Sequence, residues 1–336
     1  MATTTKLPPQ SSSLSRDLTL PPPAGIQASS ADSEASSPPP VTTPRLVYGT
    51  AWKRERTADL VYTALSAGFR GIDTAAQPRH YREDLVGEGL RRAVAEGICH
   101  RRDVFLQTKF SPAAAQDLAA GNLPYDPRAP LREQVRASVE SSLGNLRVDD
   151  DDEPSYLDSV VLHSPLPSME ETVLVWKALS SFVQSSPQRV RGLGISNAPP
   201  EVVAYLLEAP DVKVKPAVAQ NRFHAATRWE PALRALCRRA GVVFQSFWTL
   251  SGNPQLLRAR PVLDLAASAG VEPEVALYAL VLGLEGTSVL DGTTSLEHMR
   301  ADLDGIEKVG RWAETEGKET WGKALEDFKV VIGEIS

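Results

Sequence analysis

The chain has 336 residues, 42% of them hydrophobic and 23% charged, with a net charge of −6. That length suits one α/β domain of roughly 250 residues and leaves little for a second, while the acidic balance and the lack of a basic stripe argue against nucleic acid or an anionic membrane as partners. No apolar run reaches the roughly 18 residues of a bilayer span, and Cys99 and Cys237 stand far apart without metal-binding spacing, so a reducing, cytoplasmic setting follows by elimination.

Residues 1–44 hold nine of the 26 prolines, are dense in Ser and Thr, and carry few large apolar side chains. Such a segment cannot bury enough surface to offset its ordering entropy, so a disordered, dispensable tail is expected. A transit peptide is disfavoured because Asp17, Asp32 and Glu34 outnumber Lys6 and Arg16.

From Leu46 onward, short apolar runs alternate with longer amphipathic ones, the pattern of repeated βα units. Strands are expected to begin near Leu46, Arg70, Val104, Leu157, Val190, Ala217, Val242 and Thr287, with helices near Ala58, Glu83, Leu131, Met169, Pro200, Trp229, Glu274 and Leu296. Eight such pairs favour a closed (β/α)8 TIM barrel over residues 45–336, ending in a C-terminal helical segment, over an open doubly wound sheet. No GxGxxG follows the first strand, where Tyr48-Gly-Thr-Ala-Trp-Lys53 stands instead. The acidic run Asp149–Glu153 precedes a strand and reads as a solvated loop, since it lacks the ligand alternation and Gly of a calcium loop. Trp312 and Trp321, near the C-terminus, could line a pocket or pack on the barrel.

Polar residues ending buried strands carry the functional signal. Gly71-Ile-Asp-Thr-Ala-Ala76, Val104-Phe-Leu-Gln-Thr-Lys109 and Leu157-Asp-Ser-Val-Val-Leu-His163 bring Asp73, Lys109 and His163 to the catalytic face of such a barrel. Tyr81, in Gln77-Pro-Arg-His-Tyr-Arg-Glu83, lies in the loop after the first of them. Singly, Asp73 could be a helix cap, Lys109 a snorkelling strand end and His163 a core histidine; their joint occurrence in order points to a site.

Together with Gly192-Leu-Gly-Ile-Ser-Asn197, these segments resemble the active-site strands of aldo-keto reductases over about residues 46–305. The resemblance implies NAD(P)H-dependent, reversible reduction of aldehydes or ketones to alcohols, with Asp73, Tyr81, Lys109 and His163 as a catalytic tetrad. Hydride addition builds negative charge on the carbonyl oxygen, so a proton donor is needed. Tyr81 fits that role, with Lys109 expected to favour its phenolate, Asp73 to hold Lys109, and His163 to donate a hydrogen bond to the carbonyl. The family usually places its Tyr five residues after the Asp, where this chain has Pro78, so Tyr81 sits in a lengthened loop and His80 is its rival.

The same resemblance assigns cofactor binding to Thr50, Ser196, Asn197, Gln220, Gly292, Thr293 and His298, with Phe247 stacking on the nicotinamide. It favours NADP(H) over NAD(H), but Gly292 and His298 stand where NADPH-preferring members carry a Lys and an Arg, so discrimination is expected to be modest unless Arg300 substitutes. The expected partner is a small-molecule carbonyl, and the expected state a monomer or weak homo-oligomer. A nicotinamide-binding barrel serving as a regulatory or partner-binding subunit is the alternative. A metal-dependent barrel lyase or hydrolase is disfavoured, because strand ends carry no His/Asp/Glu cluster.

Overall fold

Short Val-, Ile-, Leu- and Phe-rich runs form parallel strands, because β-branched and aromatic side chains pack well where both faces of a sheet are covered. A computed structural model describes residues 12–23, 40–148 and 155–334. Strands β3 (Leu46–Gly49), β4 (Gly71–Asp73), β5 (Phe105–Phe110), β6 (Ser159–Leu162), β7 (Leu193–Ser196), β8 (Val218–Arg222), β9 (Val243–Phe247) and β10 (Thr287–Asp291) close into a barrel in that order, β10 pairing with β3. The eight expected strands match these within a few residues. Near Leu157 and Val190 the chain first makes an isolated parallel bridge before β6 and β7 begin.

The outer ring contains α1 (Thr57–Ala67), α2 (Glu83–Ala95), α3 (Leu131–Asn145), α4 (Met169–Ser185), α5 (Pro200–Glu208), α6 (Pro231–Ala240), α8 (Pro273–Leu282) and α9 (Leu296–Glu314). Two more helices, α7 (Arg260–Ala269) and α10 (Lys318–Val331), join them. No helix is among those expected where α7 lies, although Pro261 inside its start and Gly270 past its end, at φ 63°, are ordinary helix punctuation. Helix α10 packs on α7, α8 and α9, with Trp321 against Gly283 where α8 ends. Barrel helices run from the catalytic face back to the opposite one, so this contact puts Trp321 on the flank, away from the strand ends that carry the polar residues.

The expected disordered tail requires correction for residues 12–23 and 40–44. Strand β1 (Leu18–Thr19) pairs antiparallel with β2 (Thr42–Thr43), and Leu20 packs with Phe105, Ala217, Val218 and Val243 at the entry of three barrel strands. This ribbon plugs the barrel floor. Leu14 joins the main core, Ser13 N donates to Glu314 at 2.6 Å, and a Cβ at Gly310 of α9 would overlap Ser12. Composition does not show this because scattered leucines in a proline-rich stretch make no pattern, yet the floor of a closed barrel is an apolar opening that Leu20, with Leu18 beside it, can cover. Residues 1–11, 24–39 and the acidic run Asp149–Glu153 lie outside the described residues.

Removing residues 1–23 is therefore expected to destabilise the barrel. Losing the burial of Leu14 and Leu20 and baring the surfaces they cover costs about 3 to 5 kcal/mol, or about 5 to 10 °C in Tm for a domain of this size. Differential scanning calorimetry of the truncated chain checks this, and an unchanged Tm would mean that the ribbon adds nothing to the core.

Candidate active site

Alternation along the strands sorts the barrel interior into tiers, because residues i, i+2 and i+4 share a face. Phe105, Val218 and Val243 form the apolar floor beneath Gln107, Gln220 and Gln245, and Lys109, Arg222 and Phe247 follow at the C-terminal ends. Register aligns Asp73 with Gln107 and Gln220 with Gln245.

Asp73 and Lys109 form an ion pair of 2.5 Å, each only 1% exposed. The other carboxylate oxygen of Asp73 accepts from Gln107 Nε2 at 2.8 Å and from Gln220 Nε2 at 3.0 Å. Both amides also donate to Gln245 Oε1, and Lys109 Nζ donates to Thr74 O at 2.8 Å. Burial disfavours the Lys109 ammonium, but the charge and hydrogen bond of Asp73 lead the groups that outweigh it, and its pKa is raised. The lysine is charged throughout the working pH range.

The lengthened loop after β4 returns Tyr81 to this pair. A turn at 77–81 takes up the extra residues, with His80 N and Tyr81 N both bonded to Gln77 O at 3.0 Å, while Gln77 Nε2 is anchored on Ala115 O. Lys109 Nζ lies 5.1 Å from the Tyr81 ring centroid, and the His163 ring lies edge-on to Tyr81 at 6.0 Å. His80 instead stacks on Trp52 at 4.0 Å and bonds Gln77 Oε1 through Nδ1. A cavity of about 580 Å³ borders the loop beside Trp52, His80 and Tyr81, but Lys109 and His163 are not among its walls.

The expected acidification of Tyr81 by Lys109 is only part of the balance. Burial pushes the phenol pKa up, the Lys109 charge and hydrogen bond pull it down, Asp73 pushes it up again, and the net shift is upward. Tyr81 therefore rests as a neutral phenol. Burial, then the charges of Lys109 and His80, push His163 down to about 3, so its imidazole is neutral at physiological pH. Its Nδ1 lies 2.6 Å from Ser111 Oγ.

Across the barrel mouth, Ser196 and Asn197 end β7. Ser196 Oγ donates to Gln220 O at 2.7 Å, and Asn197 Nδ2 donates to His163 O at 2.9 Å. Asn197 takes φ 51°, a left-handed conformation that Asn tolerates better than most residues. Phe247 is half-buried at the end of β9, and Trp248 turns out at φ 60°, 51% exposed, under the Arg222 guanidinium at 4.5 Å. Thr50 is buried, its N and Oγ1 both bonded to Asp73 O, so that it braces β4.

Gly292, Thr293 and His298 lie between β10 and the start of α9. Asp291 accepts from Thr293 N at 2.9 Å, Tyr48 OH donates to Thr293 O at 3.0 Å, and Ser295 caps α9 by accepting from His298 N. Lys53 Nζ reaches Gly292 O. Gln107, Gln245 and Ser111 were not singled out in the sequence. For the glutamines a signal existed, since Gln107 precedes Lys109 and Gln245 precedes Phe247 by two, on the same inward face. Ser111 likewise follows Lys109 by two, but its pairing with His163 shows only in the packed structure. Among the described residues no three His, Cys, Asp or Glu side chains group as a metal site requires.

The family model described as "Aldo/keto reductase family" matches residues 45–317. An aldo-keto reductase of Mycolicibacterium smegmatis is 28% identical over 250 residues, covering 74% of this chain and 78% of its own. An NADPH-dependent D-xylose reductase of Meyerozyma guilliermondii is 26% identical over 255 residues, covering 66% of this chain and 71% of its own. A crystal structure of an aldo/keto reductase from Brucella melitensis superposes with a TM-score of 0.60 at 21% identity, covering 80% of this chain and 96% of that one, and shares the fold.

The neutral His163 predicts a pH dependence of stability. Its folded pKa of about 3 lies below the usual value near 6.5, so the unfolded chain binds the extra proton: stability is full above about pH 6.5 and is lost as pH falls toward 3. From pH 7 to 5 the wild type should lose about 2 kcal/mol more than His163→Gln in urea unfolding. Equal losses in the two proteins would show that His163 accepts a proton without cost.

Proposed function

Since the chain belongs to the aldo/keto reductase family, whose members are nicotinamide-dependent oxidoreductases, we propose that it reduces aldehydes or ketones to alcohols, reversibly, with Tyr81 supplying the proton. The observation that carries this reading is the position of the Tyr81 ring, beside both the Asp73-held ammonium of Lys109 and the neutral ring of His163. A nicotinamide cofactor, when bound, supplies the hydride that reduces the carbonyl carbon. His163 orients the carbonyl oxygen by a hydrogen bond and steadies the charge that develops there. Tyr81 hands its proton to that oxygen, and Lys109 stabilises the phenolate left behind. Asp73 keeps Lys109 in place and charged.

The residues at the barrel mouth fit such a cofactor. A carboxamide needs both a donor and an acceptor. The Gln220 amide nitrogen is already bonded to Asp73 and Gln245, which leaves its oxygen to accept, and Asn197 and Ser196 stand beside it. Phe247 offers a half-buried ring face. At the other end, the turn at Gly292 and the capped start of α9 suit a phosphate. NADP(H) is favoured over NAD(H), in keeping with the NADPH-dependent xylose reductase among the relatives, but neither Gly292 nor His298 supplies a cation fixed for a 2′-phosphate. The partner is a small-molecule carbonyl, taken by a cytoplasmic monomer or weak homo-oligomer. Among the described residues no single helix is long and apolar enough to cross a membrane. The regulatory-subunit alternative rests on the displaced tyrosine and on the long N-terminal segment, and the packing of Tyr81 beside Lys109 weighs against the first of these.

Tyr81→Phe should lower kcat by about a hundredfold or more while leaving cofactor affinity nearly intact. Steady-state assays with either reduced cofactor against varied aldehydes and ketones check this; full activity in the variant would sink the Tyr81 assignment, whereas a wild type that binds cofactor but turns nothing over would favour the regulatory reading.

Gly292→Lys should tighten NADPH by about tenfold, the worth of one charge-assisted hydrogen bond, and leave NADH unchanged. A Cβ at Gly292 would meet only Lys53 Nζ, at 3.9 Å, so the lysine has room. Titration by tryptophan fluorescence quenching reads both cofactors, and a wild-type NADPH preference of about a thousandfold or more would mean that the phosphate site is already complete.

A further inference from the structure

We propose that Ser111 is a positioning residue that fixes which ring nitrogen of His163 carries the proton, and so makes Nε2 the donor. The kinetic consequence rests on the reductase reading above, whereas the tautomer itself does not.

A neutral imidazole holds one proton on one of two nitrogens, and the bond made by one nitrogen determines the state of the other. Ser111 Oγ lies 2.6 Å from Nδ1, and Ser111 is fully buried. If Nδ1 carried the proton, the serine hydroxyl would accept it and its own hydrogen would need a second acceptor. Among the described residues Oγ has Nδ1 as its one hydrogen-bond partner, so that arrangement buries an unsatisfied donor. If the hydroxyl donates to Nδ1, both atoms of the pair are satisfied. The proton then sits on Nε2, the nitrogen left able to meet a ligand.

The surroundings hold both partners still. Ser111 O accepts from Tyr125 OH at 2.5 Å and from Gln116 Nε2, whose other bond goes to Ala76 O in the loop that carries Tyr81. His163 N donates to Phe110 O at 2.9 Å, and its carbonyl accepts from Asn197. With the backbone clamped on both sides, ring rotation is the remaining freedom, and the Ser111 hydroxyl removes it. Ser111 is two residues beyond Lys109, so a single strand end supplies both the cation for Tyr81 and the orienting group for His163.

The test reads the tautomer directly, by long-range proton–nitrogen correlation NMR on the full-length chain labelled with 15N-histidine, the His163 signals being identified by their loss in His163→Gln. The expected wild-type spectrum has a bare Nδ1 and a protonated Nε2. Ser111→Ala should mix the tautomers and lower kcat by about fivefold or more, the worth of one neutral hydrogen bond, with KM changing less because the bond to the carbonyl strengthens as charge develops. Ser111→Thr, which keeps the hydroxyl, should restore both readouts. A wild-type Nδ1–H, or a Ser111→Ala protein with unchanged tautomer and kcat, would overturn the proposal. A wild type lacking turnover but holding the Nε2–H tautomer would count against the reductase reading alone.

Discussion

Two opposite charges buried side by side in a barrel, Asp73 and Lys109, set the terms for everything around them. Taking both out of water costs several kcal/mol per ion, and their attraction repays this only when the remaining hydrogen-bonding capacity is met. Here the barrel wall serves both ions: Gln107 and Gln220 donate to Asp73, Gln245 receives both amides, and Thr74 O takes Lys109, although Gln107 Oε1 and Gln245 Nε2 are left without partners. This explains why a tier of glutamines occupies the middle of a barrel where bulky aliphatic side chains usually dominate. The polar tier works as one network, and deleting one partner would strand the others without water.

The same pair governs the two groups proposed to act on substrate. Its ammonium lies against Tyr81 and pulls the phenol pKa down, while burial and Asp73 hold it up, so the tyrosine rests with its proton in place. A proton donor has to begin protonated, and in the proposed reaction Lys109 matters most once the phenolate appears. For His163, the nearby lysine adds to burial in keeping the ring neutral. A second positive charge beside Lys109 would be costly; a neutral ring is not, and it still offers one N–H.

Apolar and polar ends of the barrel are kept apart by its own geometry. The ribbon of β1 and β2 seals the floor with Leu20, while the mouth carries Arg222, Trp248, Asn197 and the turn at Gly292. Anchoring Ser13 on α9 ties the floor plug to the helix whose other end frames that turn. The interior ion pair lies between an apolar plug and a polar opening.

The amino-acid order by itself determined the barrel, because alternating strand and helix periods over residues 46–305 leave few ways to bury every apolar face. It also determined that Asp73, Lys109 and His163 share one face, since strand ends in a parallel barrel converge. The sequence favours Tyr81 over His80 as the donor, with His80 as a rival because a lengthened loop can present either residue; the structure adds that the turn at Gln77 carries Tyr81 to Lys109 while His80 lies on Trp52. The order of residues did not reveal the docked ribbon or the Ser111–His163 bond. Both depend on groups 52 or more positions apart meeting at one point, and such meetings leave no local pattern of hydrophobicity, charge or turn chemistry. They are decided where the chain closes on itself, by which buried donor lacks an acceptor and which apolar opening lacks a cover.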